Sequence, residues 1–514
     1  MANAPKDNLF VLIQSLSRSE KRQFKLYVNR LGDNFDAKFL LLFNLLEKMK
    51  EYNEEIILKS NIVSKQQLSN TKAHLYKQIL VSLRLNPVNQ NIRIYIREQL
   101  DFATILYHKG LYKQSLKILD KAKMIAIEHE EKNIAFEIVE LEKVIESQYI
   151  TRSIIDRADE LVVQAKDLSR QKVIASKLTK LSLQLYSIML KRKKKKSDTE
   201  LKEITEYFDD HLPKINMEEL GFREKLWLYK AYLWRSFLIQ DFLACYKYAN
   251  KWVNLFNENK HMISLNPVWY IKGVSYLLEC LYLIKHKSKM KTVLDQLEYT
   301  IAEESFPKND NLSALSFICI YNGKFNLHFL EGSFEEGFYL VDEVLKNIKL
   351  NQDRLDDHHI MVFYYKIACL YFGAGDNKKC IEYLKKIIDN KNLIMREDLM
   401  CFARVLSLVA HYEVGLDYQL EVQLKSTYKF LIKMNEMHEV QREMIKFLRK
   451  LGDIYPSELK NEFKKLHKRL KKFEDHPYEK RAFLYLDIIS WLESKIENKP
   501  VGLIIREKSK RLIR

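Results

Sequence analysis

The chain has 514 residues, with 12 glycines, 8 prolines, 47% hydrophobic residues and a net charge of +18. Glycine and proline lie far below their usual shares of about 7% and 5%. That scarcity excludes a strand-rich fold, because sheets need turn residues every few positions. Leucine, lysine, glutamate and isoleucine dominate instead, and the expected fold class is all-α. Length alone allows a large buried core and about three or four domains.

The charge is uneven. Residues 1–100 carry 16 basic and 9 acidic side chains, residues 151–200 carry 13 and 6, and residues 451–514 carry 16 and 10. Such asymmetry suits an anionic partner, and equally a plain solubility role. The cysteines (Cys245, Cys280, Cys319, Cys369, Cys380 and Cys401) form no Cys-x-x-Cys and lie in apolar helical contexts. They are expected as buried free thiols in a reducing compartment. No basic-then-apolar leader and no run of 18 apolar residues occurs, so a cytoplasmic protein without a membrane span is expected.

In chain order, residues 1–90 form an N-terminal helical module. "SLSRSEKRQFKLYVNRL" opens with a capping box, Ser17 to Glu20. It places Phe24, Val28 and Leu31 on one face and turns Lys21, Arg22 and Lys25 outward. A short helix, a turn and a long helix capped by Ser64 with Gln67 follow. A helix-turn-helix reader would use the polar face of that last helix, Lys65, Gln66, Ser69, Asn70 and Lys77, on nucleic acid. The alternative is a cap that seals the first of a series of repeats.

From residue 91 to 470 one grammar recurs. In "FYYKIACLYFGAGDNKKCIEYLKKII", Tyr364, Ile367, Ala368 and Tyr371 share a helical face, Gly375 ends the helix, and Cys380, Leu384 and Ile387 face back from a second one. Related units turn at Gly110, Gln240, Gly332 and Gly415. Spacings of 40–46 residues place successive tips at Gly110, Ser153, Lys196, Gln240, His286, Gly332, Gly375 and Gly415. Further turns fall at Gly452–Pro456 and Asn498–Pro500, and Pro213, Pro267, Pro307 and Pro477 also lie where helices should end.

These residues, above all Gly110-x-Tyr112 and 364–387, resemble the tetratricopeptide (TPR) family, although the period exceeds that family's roughly 34 residues. The resemblance implies a right-handed superhelical solenoid of antiparallel hairpins. It further implies a concave groove lined by fixed positions of each first helix. Here these are Trp227, Lys230, Trp234 and Phe237, then Asn322, Asn326 and Phe329, then Val362, Tyr365 and Phe372, then Phe402 and Tyr412. Such a groove of aromatics and amides suits a peptide. The lysine/asparagine clamp for carboxylates known in some members is not reproduced, since Asn322 stands where its lysine would be.

Within this register the block "MLKRKKKKSDTE" is a hairpin tip. Lys191, Arg192, Lys193, Lys194, Lys195 and Lys196 fall at a helix C-terminus, where cations suit the dipole, and Ser197 with Glu200 caps the next helix. Together with Lys109, Lys285, Lys287, Lys289 and Lys291, it predicts a basic edge. That edge is read as a solvated rim, a dock for an acidic protein or a nucleic-acid contact. Later tips are acidic: Glu335, Glu336, Glu413 and Asp417. Residues 471–514 read as capping helices ending in a basic tail that docks on a partner or an anionic membrane surface, or packs as the last helix.

No phosphate loop, dinucleotide fingerprint, His-Glu-x-x-His or Gly-x-Ser-x-Gly is present. "DDHH" (Asp356–His359) precedes an apolar helix and reads as acidic capping rather than as metal ligands. No catalytic residue, metal or cofactor is therefore assigned. The expected function is a non-catalytic adaptor binding a peptide or protein partner, acidic ones included, in its aromatic concave groove. The alternative is a nucleic-acid-binding regulator whose repeats sense a peptide.

Overall fold

The computed structural model describes residues 7–30, 38–86, 91–148, 157–191, 198–351, 354–390, 397–415, 417–434, 439–450, 454–474, 476 and 487–511. Seven helix ends among them close by one device. The amide two or three residues past the helix donates to the carbonyl five residues earlier: Leu111 to Leu106, Glu131 to Ala126, Asp241 to Ser236, His286 to Leu281, Ser333 to His328, Asp376 to Tyr371 and Lys499 to Ser494. This turn needs a left-handed residue just before the donor. Gly110, Gly332 and Gly375 supply it, and so do Glu130, Gln240, Lys285 and Asn498. The turns at Gly110, Gln240, Gly332 and Gly375 stand where the spacing places them, and at His286 the left-handed residue is the preceding Lys285.

The helices in chain order begin with α1 (Asn8–Ser15), α2 (Arg18–Arg30), α3 (Lys38–Lys48), α4 (Glu54–Lys59) and α5 (Lys65–Leu85). Next come α6 (Ile92–His108), α7 (Tyr112–Glu128), α8 (Lys132–Gln148), α9 (Arg157–Lys191) and α10 (Asp198–His211). The middle holds α11 (Phe222–Ile239), α12 (Phe242–Glu258), α13 (His261–Leu265), α14 (Pro267–Leu283), α15 (Lys287–Ala302), α16 (Asp310–Glu331) and α17 (Tyr339–Leu350). The last are α18 (Asp357–Ala374), α19 (Asn377–Ile388), α20 (Glu397–Val414), α21 (Asp417–Met434), α22 (Glu439–Lys450), α23 (Pro456–Lys471), α24 (Ile488–Glu497) and α25 (Val501–Arg511). Among the described residues there is no strand, and no helix is long and apolar enough to cross a membrane.

The chain divides into two units, Met1–Ser169 and Arg170–Arg514, with the boundary inside α9. That helix corrects the register. Tips at Ser153 and Lys196 require a turn between them, yet Arg157–Lys191 is one helix of 35 residues. The reason is local: the segment holds neither glycine nor proline, so nothing in it stops helix propagation. Ser153, Arg192–Lys196 and Ser197 themselves lie outside the described residues.

In the first unit, α1–α5 enclose a core around Ile13, Phe24, Val28, Phe43, Ile57 and Leu75. The Ser17–Glu20 box is made reciprocally: the Ser17 amide donates to Glu20 Oε2 at 2.8 Å, and the Glu20 amide to Ser17 Oγ at 3.2 Å. Two expectations fail here. Ser64 occupies the N-cap of α5 without a side-chain cap bond, and Gln67 does not reach back to it, its Oε1 accepting from Lys38 Nζ instead (3.0 Å). Lys21 and Lys25 turn to Glu47 rather than outward, at 4.0 and 2.8 Å. Leu31 lies outside the described residues.

A second core joins α6–α8 to the start of α9. Inside it Lys123 pairs with Glu142 at 2.6 Å, and Arg157 reaches Glu142 at 3.3 Å and Asp120 at 3.0 Å. Burial pushes the Glu142 carboxyl up, against the opposing pull of Lys123 and Arg157.

In the second unit, helix pairs α11/α12, α14/α15, α16/α17, α18/α19 and α20/α21 pack in succession around two large cores. The C-terminus does more than end the series: α25 packs against α16 and α18. Arg506 Nε donates to the Gly332 carbonyl at 2.9 Å and its guanidinium pairs with Glu336 at 2.6 Å. On α24, the Trp491 indole donates to Glu413 Oε1 at 2.7 Å, and Lys495 pairs with the same carboxylate. The basic tail thus packs as the last helix, with Arg506 on the acidic tip at Glu336, while Lys495 of α24 takes the one at Glu413. Gly332 permits this approach. Its φ of +68° disfavours other residues, and a Cβ there would lie 2.7 Å from the Gly502 carbonyl oxygen.

Candidate interaction face

Helices α11 and α14 carry the same Trp-x-x-Lys pattern. "WLYK" ends at Lys230 and "WYIK" at Lys272, 42 residues apart. On each helix the three-residue spacing puts Trp and Lys on one side, so the repeat assembles two indoles and two ammonium groups. The Trp227 and Trp269 rings meet edge-on with centroids 5.0 Å apart. Lys230 Nζ lies 4.6 Å from the first and 4.7 Å from the second, and Lys272 Nζ lies 5.8 Å from Trp269.

The patch is supported from beneath. Trp252 of α12 is fully buried, with its ring 6.3 Å from Trp269 and 5.8 Å from Tyr276. Gly273 makes room for it, since a Cβ there would come within 2.7 Å of the Trp252 ring. One turn further along, Tyr276 meets Trp234 (5.5 Å) and Phe237 (6.3 Å).

Burial lowers the Lys230 pKa to about 8, and the positive charge of Lys272 adds to the effect. Neither lysine has a carboxylate within salt-bridge distance among the described residues. In an NMR titration of the lysine side chains, the Lys230 resonance should therefore titrate near pH 8, below the bulk of the lysines. Lys230→Gln should remove it. If all lysines titrate together near their ordinary value of 10.5, this picture of the patch is wrong.

A second polar rung lies further along the array. Lys366 of α18 donates to Asn326 of α16 and sits 5.8 Å from the Phe329 ring. Burial takes it down to about 8, although Cys369 and Glu279 oppose the shift. Asn322 Nδ2 donates to the Ile318 carbonyl at 2.8 Å, while its Oδ1 is buried without a partner.

The expected groove residues thus separate. Trp227, Lys230, Phe237, Asn322, Asn326, Phe329, Val362 and Tyr412 are partly exposed. Trp234, Tyr365, Phe372 and Phe402 are buried in the cores and are withdrawn from the face. They sit on helices with neighbours on both sides, so their aromatic stripes serve packing. Sequence reading missed Trp269, Lys272 and Tyr276, although the repeated Trp-x-x-Lys was there to be found.

The remaining expected positions are plain surface. Lys109 is exposed in the first unit. Lys285 and Lys291 are exposed in the second, where Lys287 faces Glu331 at 3.9 Å and Lys289 lies 5.6 Å from the Tyr246 ring. Lys191 closes α9. Lys65, Gln66, Ser69, Asn70 and Lys77 are all exposed on α5. Asp356 caps α18, accepting from the His359 amide at 2.8 Å. Burial works to raise this carboxyl, but the His359 amide and imidazole outweigh it and hold it below its ordinary value. No group of three or more His, Cys, Asp or Glu side chains is placed to hold a metal ion among the described residues.

Fold and face together define the class: an all-α chain of packed helices, compatible with a helical repeat protein. No family model, curated protein or solved structure matches it.

Proposed function

We propose that the chain is a non-catalytic, cytoplasmic interaction scaffold of TPR-like construction. Hairpins of residues 91–470 form a right-handed solenoid capped by residues 1–90, and the first helices of the hairpins dock a peptide segment of a protein partner. The observation that carries this reading is the doubled Trp-x-x-Lys patch. It leaves aromatic surface and two cations without a carboxylate partner accessible on neighbouring helices, whereas Lys123 and Lys495 are paired with Glu142 and Glu413. Recognition surfaces are enriched in such aromatic anchors with a charged rim.

Affinity capture with mass spectrometry tests it. Wild type should retain a partner that Trp227→Ala/Trp269→Ala loses while its circular dichroism is unchanged. An identical partner set from both removes the face from consideration. Trp234→Ala would be a poor probe, since that ring is buried in a core.

One observation favours a second reading, a nucleic-acid-binding regulator. The five polar residues of α5 stand exposed behind a short helix and a tight turn at Asn61. Binding to DNA through them would weaken steeply with salt. A gel-shift titration in which Lys65→Ala/Lys77→Ala binds as well as wild type would dismiss it.

A further inference from the structure

We propose that the patch between α11 and α14 selects an acidic peptide segment, seating a carboxylate between the Lys230 and Lys272 ammonium groups while neighbouring ligand side chains lie on Trp227 and Trp269. This rests on the reading of the face as a peptide dock and names the ligand's chemistry.

The first argument is charge complementarity. The chain has 68 acidic side chains and sets one against each of three inward-drawn lysines: Lys123 meets Glu142, Lys72 meets Asp7 and Lys495 meets Glu413, while the buried Lys366 meets the Asn326 amide. At the patch it does the reverse. Two lysines flank the same Trp269 ring, at 4.7 and 5.8 Å, with no carboxylate in reach among the described residues. Like charges so placed repel each other, and an anion between them removes the repulsion. The indole faces supply enough attraction to hold the cations in the unliganded chain.

The second argument is repetition. The same Trp-x-x-Lys spacing on α11 and α14 presents the same pair of groups twice, which fits a ligand that repeats an acidic and an apolar residue along an extended segment. The edge-on packing of the two indoles, with Trp252 behind Trp269, leaves no flat slot between them for a nucleobase.

The test is calorimetric titration of the full chain with two synthetic dodecapeptides, one alternating Glu with Leu and the other Gln with Leu. The Glu peptide should bind at least about tenfold tighter. Lys230→Gln/Lys272→Gln should abolish that preference, whereas Lys285→Gln/Lys291→Gln, which removes equal charge elsewhere, should leave it. At pH 8 the Glu peptide should also draw in up to roughly half a proton, read from buffers of different ionisation heat, as Lys230 becomes fully charged. If both peptides bind equally and the patch variant changes nothing, the face docks peptides without acidic preference and the inference fails alone. A preference that survives in the patch variant assigns it to the net charge of the chain and also overturns the inference. If neither peptide binds, the docking reading falls with it. Tighter binding of a single-stranded oligothymidylate, lost in the patch variant, replaces the acidic peptide with nucleic acid.

Discussion

Trp491→Ala should lower the stability of the second unit by about 3–5 kcal/mol. The indole is fully buried, edge-on to Phe463 at 5.7 Å and to Tyr412 at 6.4 Å. Truncation leaves a cavity in the largest core and deprives Glu413 of a 2.7 Å hydrogen bond. Trp491→Phe separates the two contributions. It keeps most of the ring volume and should cost about 1–3 kcal/mol, mainly for the polar partner left behind. The readout is the urea midpoint followed by indole emission, which reports this unit alone, because the other four tryptophans also lie within it. A loss below about 1 kcal/mol for Trp491→Ala would show that α24 is not docked as described. The exposed Arg506–Glu336 pair contributes little to this attachment. Its role is register, with Gly332 and Gly502 allowing the backbones to touch.

Glu142→Ala should cost the first unit about 3–5 kcal/mol, because it leaves Lys123 buried without a counter-charge. The double variant Lys123→Met/Glu142→Leu should recover most of the loss, since a well-packed apolar pair can replace a buried ion pair. Arg157 keeps Asp120 and Glu160 as partners in both variants. The pH dependence has a definite sign. The Glu142 carboxyl is raised above its ordinary value of 4.5, so its protonated form fits the fold better. The stability attached to it is full below that value and is lost as pH rises through the folded-state pKa. The double variant should lack this slope. Hydrogen exchange at the α7 and α8 amides measures both effects, and equal protection in Glu142→Ala and the double variant would refute the pairing argument.

Much of the local structure was legible in particular residues. The scarcity of glycine and proline dictated helix. Ser17 and Glu20 announced the start of α2. Gly110, Gln240, Gly332 and Gly375 marked helix ends, because few residues accept the left-handed conformation that the closing turn needs. The buried ion pair also left a trace: Lys123 and Glu142 interrupt the apolar stripes Leu116-Leu119-Ala126 and Ala135-Ile138-Ile145 on consecutive helices. The doubled Trp-x-x-Lys was visible too, once two hairpins were compared at a step of 42 residues.

Sequence by itself determined the helical class and the turns at Gly110, Gln240, Gly332 and Gly375, because these depend on groups within a few residues of one another. Only the tertiary structure decided which aromatics face a neighbouring helix and which face outward, since a helix packed on two sides carries apolar residues on both. It likewise decided that Arg506 of the basic tail lies on Gly332 and Glu336. That contact joins groups up to 174 residues apart, and no local pattern encodes which acidic tip a distant arginine will meet.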